Sequence, residues 1–244
     1  MPGPALPPDP SKPRVVAIIP VGTLDGAKSR LGAVLDAEER LELTLRLARR
    51  TIGAAIATPG IDETIVVTPD DAVRSLADDL GARPLRQRDA GLNRGIDLAR
   101  DEAKAAGADA VIVLPIDLPD VTPDAISTVL RALDDPRRPL VAIVPDRHGR
   151  GTNALLIAPP DAIGICFGGD SRRAHVTAAN VAGARLVELG GPLALDIDTP
   201  DDLLLAEERL REMDAAADAE GNAEAATETA ALGDATPTET VDVS

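Results

Sequence analysis

The sequence predicts an α/β fold in three layers, in which a mainly parallel, Rossmann-like sheet lies between two layers of helices. Short, nearly continuous apolar segments alternate with helix signals between residues 14 and 212, and such segments are typical of strands buried on both faces. The predicted strands are Val15–Ile19, Thr64–Thr68, Ala110–Leu114, Leu140–Val144, Ala154–Ile157 and Arg185–Glu188. In a sheet of this kind, ligands bind beyond the carboxyl ends of the strands.

Capping residues mark the helices between these strands. Asp36–Glu39 has the pattern of a capping box, with an acidic side chain at either end of the first turn. A second helix is predicted over Gly91–Ala106, which a glycine follows directly. Thr122 and Thr199 each supply an N-cap hydroxyl ahead of a proline at the first helical position. Strand and helix therefore alternate along the whole segment.

Composition divides the chain of 244 residues into three parts. Residues 1–13 contain six prolines and are predicted to form a disordered arm. Residues 14–212 form the predicted folded domain. Residues 213–244 carry eight acidic side chains and no basic one, which predicts a disordered acidic tail. Half of the formal net charge of −16 therefore lies in that tail.

The same composition argues against several function classes. The sequence lacks the basic patch typical of nucleic-acid-binding surfaces. No apolar run reaches the roughly 20 residues that span a bilayer, and the N-terminus lacks the pattern of a signal peptide. The single cysteine, Cys166, cannot form an intrachain disulfide and is expected to be a buried free thiol. We therefore expect a cytoplasmic protein without nucleic-acid or membrane partners.

The loop after the first strand brings a flexible backbone and two cations to one point. Gly22 and Gly26 precede Lys28 and Arg30, and such a loop is suited to phosphate groups. The loop is close to the P-loop pattern G-x-x-x-x-G-K-[ST], but Ala27 stands where the pattern needs glycine. Three interpretations stay open: an open loop that meets nucleotide phosphates, a true P-loop, or a surface turn with solvated cations.

Three aspartates stand at positions suited to a divalent cation. Asp117 follows an apolar strand, and Asp196 and Asp198 point the same way if their segment is extended. Carboxylates on one face repel each other unless a cation lies between them, and magnesium prefers few carboxylates plus phosphate oxygens. The alternatives are a turn-forming role for Asp117 and helix capping after Asp198.

Two further loops have the residues of an anion site. The loop before the fifth predicted strand carries Arg147, Arg150 and Thr152 among glycines, and Gly168 precedes Ser171 at a predicted helix start. Arginine side chains, backbone N–H groups and hydroxyls are the groups that bind phosphate. These loops therefore predict contacts to a phosphorylated substrate.

These segments, in this order, resemble the small guanylyltransferases of deazaflavin coenzyme (factor 420) biosynthesis, the CofC/FbiD family. Its members are 2-phospho-L-lactate and phosphoenolpyruvate guanylyltransferases within the GT-A-like nucleotidyltransferase superfamily. The matching segments are Pro20-Val21, Ala27–Leu31, Gly91–Asn93, Leu114–Pro119, Asp146-Arg147, Gly151–Leu155, Phe167-Gly168 with Ser171, and Leu195–Asp201. The resemblance covers residues 14 to about 212 and implies a GT-A-like nucleotidyltransferase domain there.

The resemblance implies that GTP is the donor and that a phosphorylated three-carbon acid is the acceptor. Lys28, Arg30 and Asp117 would be the catalytic residues. Nucleotide binding would involve Lys28 and Arg30 at the phosphates, and Gly91 and Asn93 near the base or ribose.

The remaining implied roles concern the acceptor and a cofactor, Mg²⁺. The residues implied to bind the phosphate of the acid are Thr152, Gly168 and Ser171. The residues implied to hold magnesium are Asp117, Asp196 and Asp198.

The implied reaction transfers GMP from GTP to phosphoenolpyruvate or 2-phospho-L-lactate and releases pyrophosphate. One alternative is 3-phosphoglycerate as the acceptor within the same family. Another is a P-loop-like kinase or ATPase, which would place Lys28 and Ser29 directly on the β- and γ-phosphates. The sequence is also compatible with a homodimer.

Overall fold

A computed structural model describes residues 12–207 and residue 211 of the chain. The predicted domain of residues 14–212 falls almost wholly within this part. The predicted acidic tail, residues 213–244, lies outside the described residues, and so does the predicted N-terminal arm apart from residues 12 and 13.

The centre of the fold is one sheet of seven strands in the order β3-β2-β1-β4-β6-β5-β7. Neighbouring strands are parallel except at β6, which runs antiparallel to both β4 and β5. The strands are β1 (Val15–Pro20), β2 (Glu63–Thr68), β3 (Arg83–Arg86), β4 (Ala110–Val113), β5 (Leu140–Pro145), β6 (Thr152–Ala158) and β7 (Arg185–Glu188). The prediction of a mainly parallel sheet is confirmed.

All six predicted strands are present, with ends within two residues of the prediction. Strand β3, the edge strand Arg83–Arg86, was not predicted, because its segment RPLR has two arginines and a proline in four residues. An edge strand tolerates proline and charge, since one of its sides needs no ladder hydrogen bonds. An apolar run is therefore a good signal for central strands and a poor one for edges.

Helices cover both faces of the sheet, as the three-layer prediction requires. One face carries the first, second and fourth helices, and the other carries the third and fifth. The helices are α1 (Ala37–Ala57), α2 (Asp71–Asp79), α3 (Leu92–Ala105), α4 (Pro123–Leu130) and α5 (Ser171–Val181), and residues 200–207 are also helical. Among the described residues, no helix has the length and apolar character needed to cross a membrane.

The predicted caps form as expected. Asp36 accepts hydrogen bonds from the backbone N–H groups of Glu38 and Glu39, and the Glu39 carboxylate accepts one from the N–H of Asp36, 2.7 Å away. Thr122 Oγ1 accepts from the N–H of Ala125 at the start of α4. These local bonds satisfy donors that a helix cannot pair by itself.

Alternating side chains of the sheet form two separate cores. On β1, Ala17 and Ile19 pack towards α1 and α4, whereas Val16 and Ile18 pack towards α3. All four side chains are fully buried. Burial on both faces explains why the strands appear as continuous apolar runs in the sequence.

The topology gathers distant loops at one edge of the sheet, the carboxyl rim. The loops that follow β1 and β4 leave the sheet there. Because β6 is antiparallel, it enters the sheet at the same rim, with Thr152 paired to Pro145 at the end of β5. The predicted site loops therefore meet although they are far apart in the chain.

Candidate active site

Three adjoining depressions lie along the carboxyl rim. The first, which is named the acceptor cleft after the role predicted for its residues, has a volume of about 560 Å³ and is lined by Thr152, Gly168 and Ser171. The second, of about 400 Å³, contains Lys28 and shares Arg30 with the acceptor cleft. The third, of about 370 Å³, contains Gly91. The predicted nucleotide and acceptor residues thus line one continuous surface, Asn93 excepted.

Lys28 connects its own loop to the other two segments that carry predicted charged site residues. Its Nζ donates a hydrogen bond to the carbonyl oxygen of Ile197 at 2.5 Å and lies 3.9 Å from Oδ2 of Asp117. The backbone N–H of Ile197 in turn donates to the carbonyl oxygen of Asp117 at 2.9 Å. Asp117 and the segment carrying Asp196 and Asp198 are therefore held together at one point.

The loop around Lys28 does not have the geometry of a P-loop. Lys28 has a left-handed backbone, with φ of 53°, and only a short 3-10 turn, Ser29–Leu31, follows it. A P-loop wraps phosphates at the start of an α-helix, with its lysine free to reach them. Here the Lys28 ammonium already binds a carbonyl oxygen and faces a carboxylate. The P-loop interpretation is therefore not supported.

Acidic side chains outnumber basic ones around the acceptor cleft. Its lining includes five aspartates, at positions 117, 146, 196, 198 and 202, but only two arginines, Arg30 and Arg150. Burial raises the pKa of Asp196 to about 6, helped by the nearby charges of Asp117 and Asp198. Burial also raises the pKa of Asp117, against the opposing effect of Lys28.

This donor set fits a divalent cation. Carboxylate oxygens are the ligands that magnesium prefers, and a cation would relieve the mutual repulsion of Asp117, Asp196 and Asp198, which adds to the effect of burial. Asp198, however, forms an ion pair with Arg30, with its Oδ2 3.1 Å from Nη1. Within the described part of the chain, no three acidic, histidine or cysteine side chains are already arranged as a metal cage.

Asp202, which sequence reasoning did not single out as a site residue, organises the segment after Asp198. Its carboxylate accepts hydrogen bonds from the backbone N–H groups of Asp198 and Thr199 and forms an ion pair with Arg147. Arg147 was predicted to supply a cation for substrate, but this ion pair engages its guanidinium. Of the two arginines of that loop, only Arg150 lines the acceptor cleft.

The side of the site that is predicted to bind the acceptor is built from buried polar groups. Thr152, Asn153, Ser171 and His175 all have side chains that are at most 6% exposed. Asn153 Nδ2 donates to the carbonyl oxygen of Leu193 at 3.0 Å, and it also lies 3.4 Å from Oδ1 of Asp196. Buried polar groups with satisfied partners hold one geometry well.

The chain turns at Gly168 into the start of α5. Gly168 has φ of 149°, a conformation that favours glycine, and its carbonyl oxygen accepts from the N–H of Ser171 at 3.1 Å. Ser171 begins α5 and is 3% exposed. The predicted anion loop therefore lies at a helix N-terminus and faces the acceptor cleft.

Asn93 has a different position from the other predicted site residues. Its Nδ2 donates to the carbonyl oxygen of Phe167 at 2.9 Å, and its Oδ1 accepts from the Phe167 N–H at 2.8 Å. The amide therefore clamps the loop that leads to Gly168, and it lines none of the three depressions. Sequence analysis found this position but not its partner, which lies 74 residues away.

A glutamine that the sequence analysis did not single out holds the loop beside Gly91. Gln87 Nε2 donates to the backbone carbonyl oxygens of Asp89 and Gly91, at 2.5 and 2.8 Å. Gly91 has φ of 115°, which only glycine adopts easily. The one sequence signal for this role of Gln87 was its place as a polar residue shortly before the glycine at the start of a helix.

Cys166 is a free thiol as predicted, but its predicted burial was wrong, because its side chain is exposed. Its neighbour Ile165 is buried in the core below α3 and α5. The part of Cys166 that points inward is the backbone N–H, which donates to Nε2 of His175 at 3.1 Å.

Comparison with known proteins agrees with this architecture. Residues 15–208 match the family described as "Guanylyl transferase CofC like". Phosphoenolpyruvate guanylyltransferase of Sphaerobacter thermophilus is 44% identical over 189 residues, which cover 77% of this chain and 90% of that protein. The protein of the same name from Rubrobacter xylanophilus is 42% identical over 190 residues, covering 78% and 91% respectively.

Solved structures show the same fold at low sequence identity. A protein described as a nucleotide-diphospho-sugar transferase, from Desulfovibrio desulfuricans, has a TM-score of 0.62 at 20% identity and covers 76% of this chain and 82% of its own. A nucleotidyl transferase from a Methanothermobacter species has a TM-score of 0.61 at 19% identity, with coverages of 82% and 99%. These similarities confirm the predicted fold class. Since one family profile spans the whole sheet and all three depressions, the chain belongs to the CofC-like guanylyl transferase family.

Proposed function

We propose that this protein transfers GMP from GTP to phosphoenolpyruvate and releases pyrophosphate, in the biosynthesis of a deazaflavin coenzyme. The observation that carries the proposal is the contact of Lys28 with both Asp117 and Ile197, which joins cations and carboxylates from three loops at one rim. The relatives named above as phosphoenolpyruvate guanylyltransferases support this choice of acceptor.

The chemistry needs no general base. A phosphate oxygen of the acid attacks the α-phosphorus of GTP; a new P–O bond forms, and the bond from the α-phosphorus to the bridging oxygen of pyrophosphate breaks. The second pKa of a phosphate monoester is near 6, so the nucleophile is largely ionised at neutral pH. The cleft accordingly needs to position two polyanions and to neutralise their charge.

The cations of the rim suit the donor. Arg30, which is 74% exposed, can leave Asp198 and meet a triphosphate at small cost, since exposed ion pairs contribute about 0–1 kcal/mol. Lys28 is only 10% exposed, so its charge acts from a fixed position. In this proposal Gly91 lies beside the base or ribose, and Asn93 acts by holding the loop at Phe167 rather than by touching the nucleotide.

Magnesium is the proposed cofactor, held by Asp117, Asp196 and Asp198. When bound, it supplies positive charge to the phosphates around the reacting centre. The excess of aspartates over arginines supports it, because a cleft of this charge would otherwise repel both substrates. Asp198 would be available to this set if the phosphates of GTP took its place at Arg30.

The acceptor binds in the acceptor cleft against Thr152, Gly168 and Ser171. The start of α5 offers the positive end of the helix dipole to an anionic oxygen. Arg150, from the loop before β6, adds a charge on the same side. A homodimer stays a prediction.

A pyrophosphate-release assay tests the proposal. GTP and ATP are each combined with phosphoenolpyruvate, 2-phospho-L-lactate and 3-phosphoglycerate, with and without magnesium. We expect the highest kcat/KM with GTP, phosphoenolpyruvate and magnesium together. Preference for 3-phosphoglycerate would change the acceptor, and release of orthophosphate in place of pyrophosphate would contradict the reaction class.

A further inference from the structure

We propose that His175 is a positioning residue, which orients the Thr152 hydroxyl so that its proton points at an anionic oxygen of the acceptor. This inference rests on the proposed function. Thr152 lines the acceptor cleft, whereas His175 lies behind it, fully buried and without access to substrate.

The ring of His175 bridges two parts of the acceptor side. Its Nδ1 lies 3.1 Å from Oγ1 of Thr152, at the start of β6. Its Nε2 accepts a hydrogen bond from the backbone N–H of Cys166, also at 3.1 Å. The Phe167 ring packs edge-on against the imidazole, with 5.2 Å between centroids. The imidazole plane is thus fixed from several sides.

These contacts determine which nitrogen carries the proton. A backbone N–H can only donate, so the Nε2 that faces Cys166 must be the unprotonated nitrogen. A neutral imidazole then carries its proton on Nδ1 and donates it to Thr152 Oγ1. Burial favours the neutral ring, since it lowers the pKa of His175 to about 4.

The direction of the hydrogen bond from His175 to Thr152 sets the direction of the bond that the Thr152 hydroxyl makes to the acceptor. With a lone pair of Oγ1 engaged by His175, the threonine hydroxyl is an acceptor towards the ring and keeps its own proton for the cleft. A hydroxyl that accepts one hydrogen bond becomes a better donor in the next. An anionic phosphate or carboxylate oxygen is the ligand that this arrangement favours.

Two substitutions of His175 separate this role from simple packing. In His175→Gln, the amide oxygen reaches the Nε2 position and can still accept from Cys166, but nothing donates to Thr152. In His175→Asn, the amide reaches the Nδ1 position and can donate to Thr152, while the Cys166 N–H loses its partner. We therefore expect His175→Gln to raise the KM for phosphoenolpyruvate about tenfold, as loss of one hydrogen bond to a charged group does.

The matched variants should give a specific pattern. In His175→Gln, the KM for GTP stays within about twofold of the wild-type value. In His175→Asn, the KM for phosphoenolpyruvate stays much closer to the wild-type value than it does in His175→Gln. Thr152→Val, which keeps the shape of the side chain, shows a similar rise, and adding His175→Gln to it causes no further rise. An additive double variant, or equal losses in the Gln and Asn variants, would overturn the inference.

A structural control and a direct measurement complete the test. Thr58→Val removes a buried hydrogen bond to Ala54 at the end of α1, so it should lower the melting temperature without changing the KM for phosphoenolpyruvate. The chain has only two histidines, so His148→Gln assigns the imidazole ¹⁵N signals of the full-length protein. A protonated Nδ1 on His175, perturbed in Thr152→Val, is expected; a protonated Nε2 overturns the inference. Wild-type protein without pyrophosphate release would contradict the proposed function instead, and the two failures are therefore distinct.

Discussion

The two sides of the rim, which are the proposed acceptor side and the proposed nucleotide side, hold their polar groups in different ways. On the proposed acceptor side, Thr152, Ser171 and His175 are nearly inaccessible to solvent, and hydrogen bonds join His175 to Thr152 and to the backbone of Cys166. On the nucleotide side, Gly22 and Arg30 are exposed, and Arg30 pairs with an aspartate that the donor can replace. We therefore expect the proposed acceptor side to be preorganised and the exposed side chains of the proposed nucleotide side to adjust when substrate binds.

The difference has a physical reason. A three-carbon acid offers few atoms for binding, so its site must lose little entropy when it fills. A nucleoside triphosphate offers a base, a ribose and three phosphates, and it can order exposed side chains on binding. Substitutions on the two sides should therefore change the KM values of different substrates.

The largest effect should come from Asp117, which lies between the two sides. We expect Asp117→Asn to reduce kcat on the order of 10³-fold, because the stabilisation of charge at the reacting phosphorus is lost. The measurement is pyrophosphate release at saturating concentrations of both substrates. Asp124→Asn, which makes the same charge change on the exposed first turn of α4, is the control and should be near wild type. Equal kcat values for the two variants would contradict the proposed role of Asp117.

The acceptor side should also be sensitive to acid through His175. Its pKa is near 6.5 in the unfolded chain and about 4 in the fold, so the unfolded state binds more protons between these values. This contribution to stability is complete above pH 6.5 and declines as the pH falls towards 4, by about 3 kcal/mol. Urea unfolding across this pH range should show a decline in wild type that is reduced by that amount in His175→Gln. Parallel curves would rule out the buried, neutral imidazole.

The nucleotide side can be tested without touching a substrate-binding residue. Gly95→Ala in α3 would place a Cβ 2.4 Å from Oε1 of Gln87, and so displace the glutamine that holds the loop at Gly91. We expect the KM for GTP to rise about fivefold, which corresponds to a loss of about 1 kcal/mol in the free energy of binding. The KM for phosphoenolpyruvate should stay unchanged. Gly53→Ala in α1 is the matched control, since its Cβ would meet no atom within 4 Å. That variant should gain up to about 1 kcal/mol of helix stability and keep both KM values.

The smallest effect should come from Arg30. Because its ion pair with Asp198 is exposed, Arg30→Gln should change the free energy of unfolding by less than about 1 kcal/mol. The KM for GTP should rise about threefold and become less dependent on salt. Arg137→Gln removes a comparably exposed arginine, which is paired with Asp135 away from the rim. It should alter neither the KM for GTP nor the salt dependence of that KM. A larger change in the KM for phosphoenolpyruvate than in the KM for GTP would contradict the assignment of Arg30 to the nucleotide side.

Local sequence patterns were sufficient for most of the fold. Strands buried on both faces appear as apolar runs, and caps such as Asp36 and Thr122 depend on neighbours within three residues. The edge strand at Pro84 escaped because it needs neither an apolar run nor a full set of ladder bonds. Placement at a strand end was also enough to mark Asp117 as a candidate, and the loop rich in arginine and glycine was enough to mark Thr152.

The sequence by itself determined the layered sheet, its caps and the chemical types of the residues at its rim, because each depends on short-range periodicity. Only the tertiary structure decided what those residues touch: Lys28 meets a carbonyl 169 residues away, and Asn93 meets Phe167 across 74 residues. His175 is 23 residues from Thr152, and no local pattern distinguishes it from an ordinary buried histidine. Partners so far apart in the chain become neighbours only when the sheet has brought its loops to one edge, and their hydrogen bonds leave no periodic trace in the sequence.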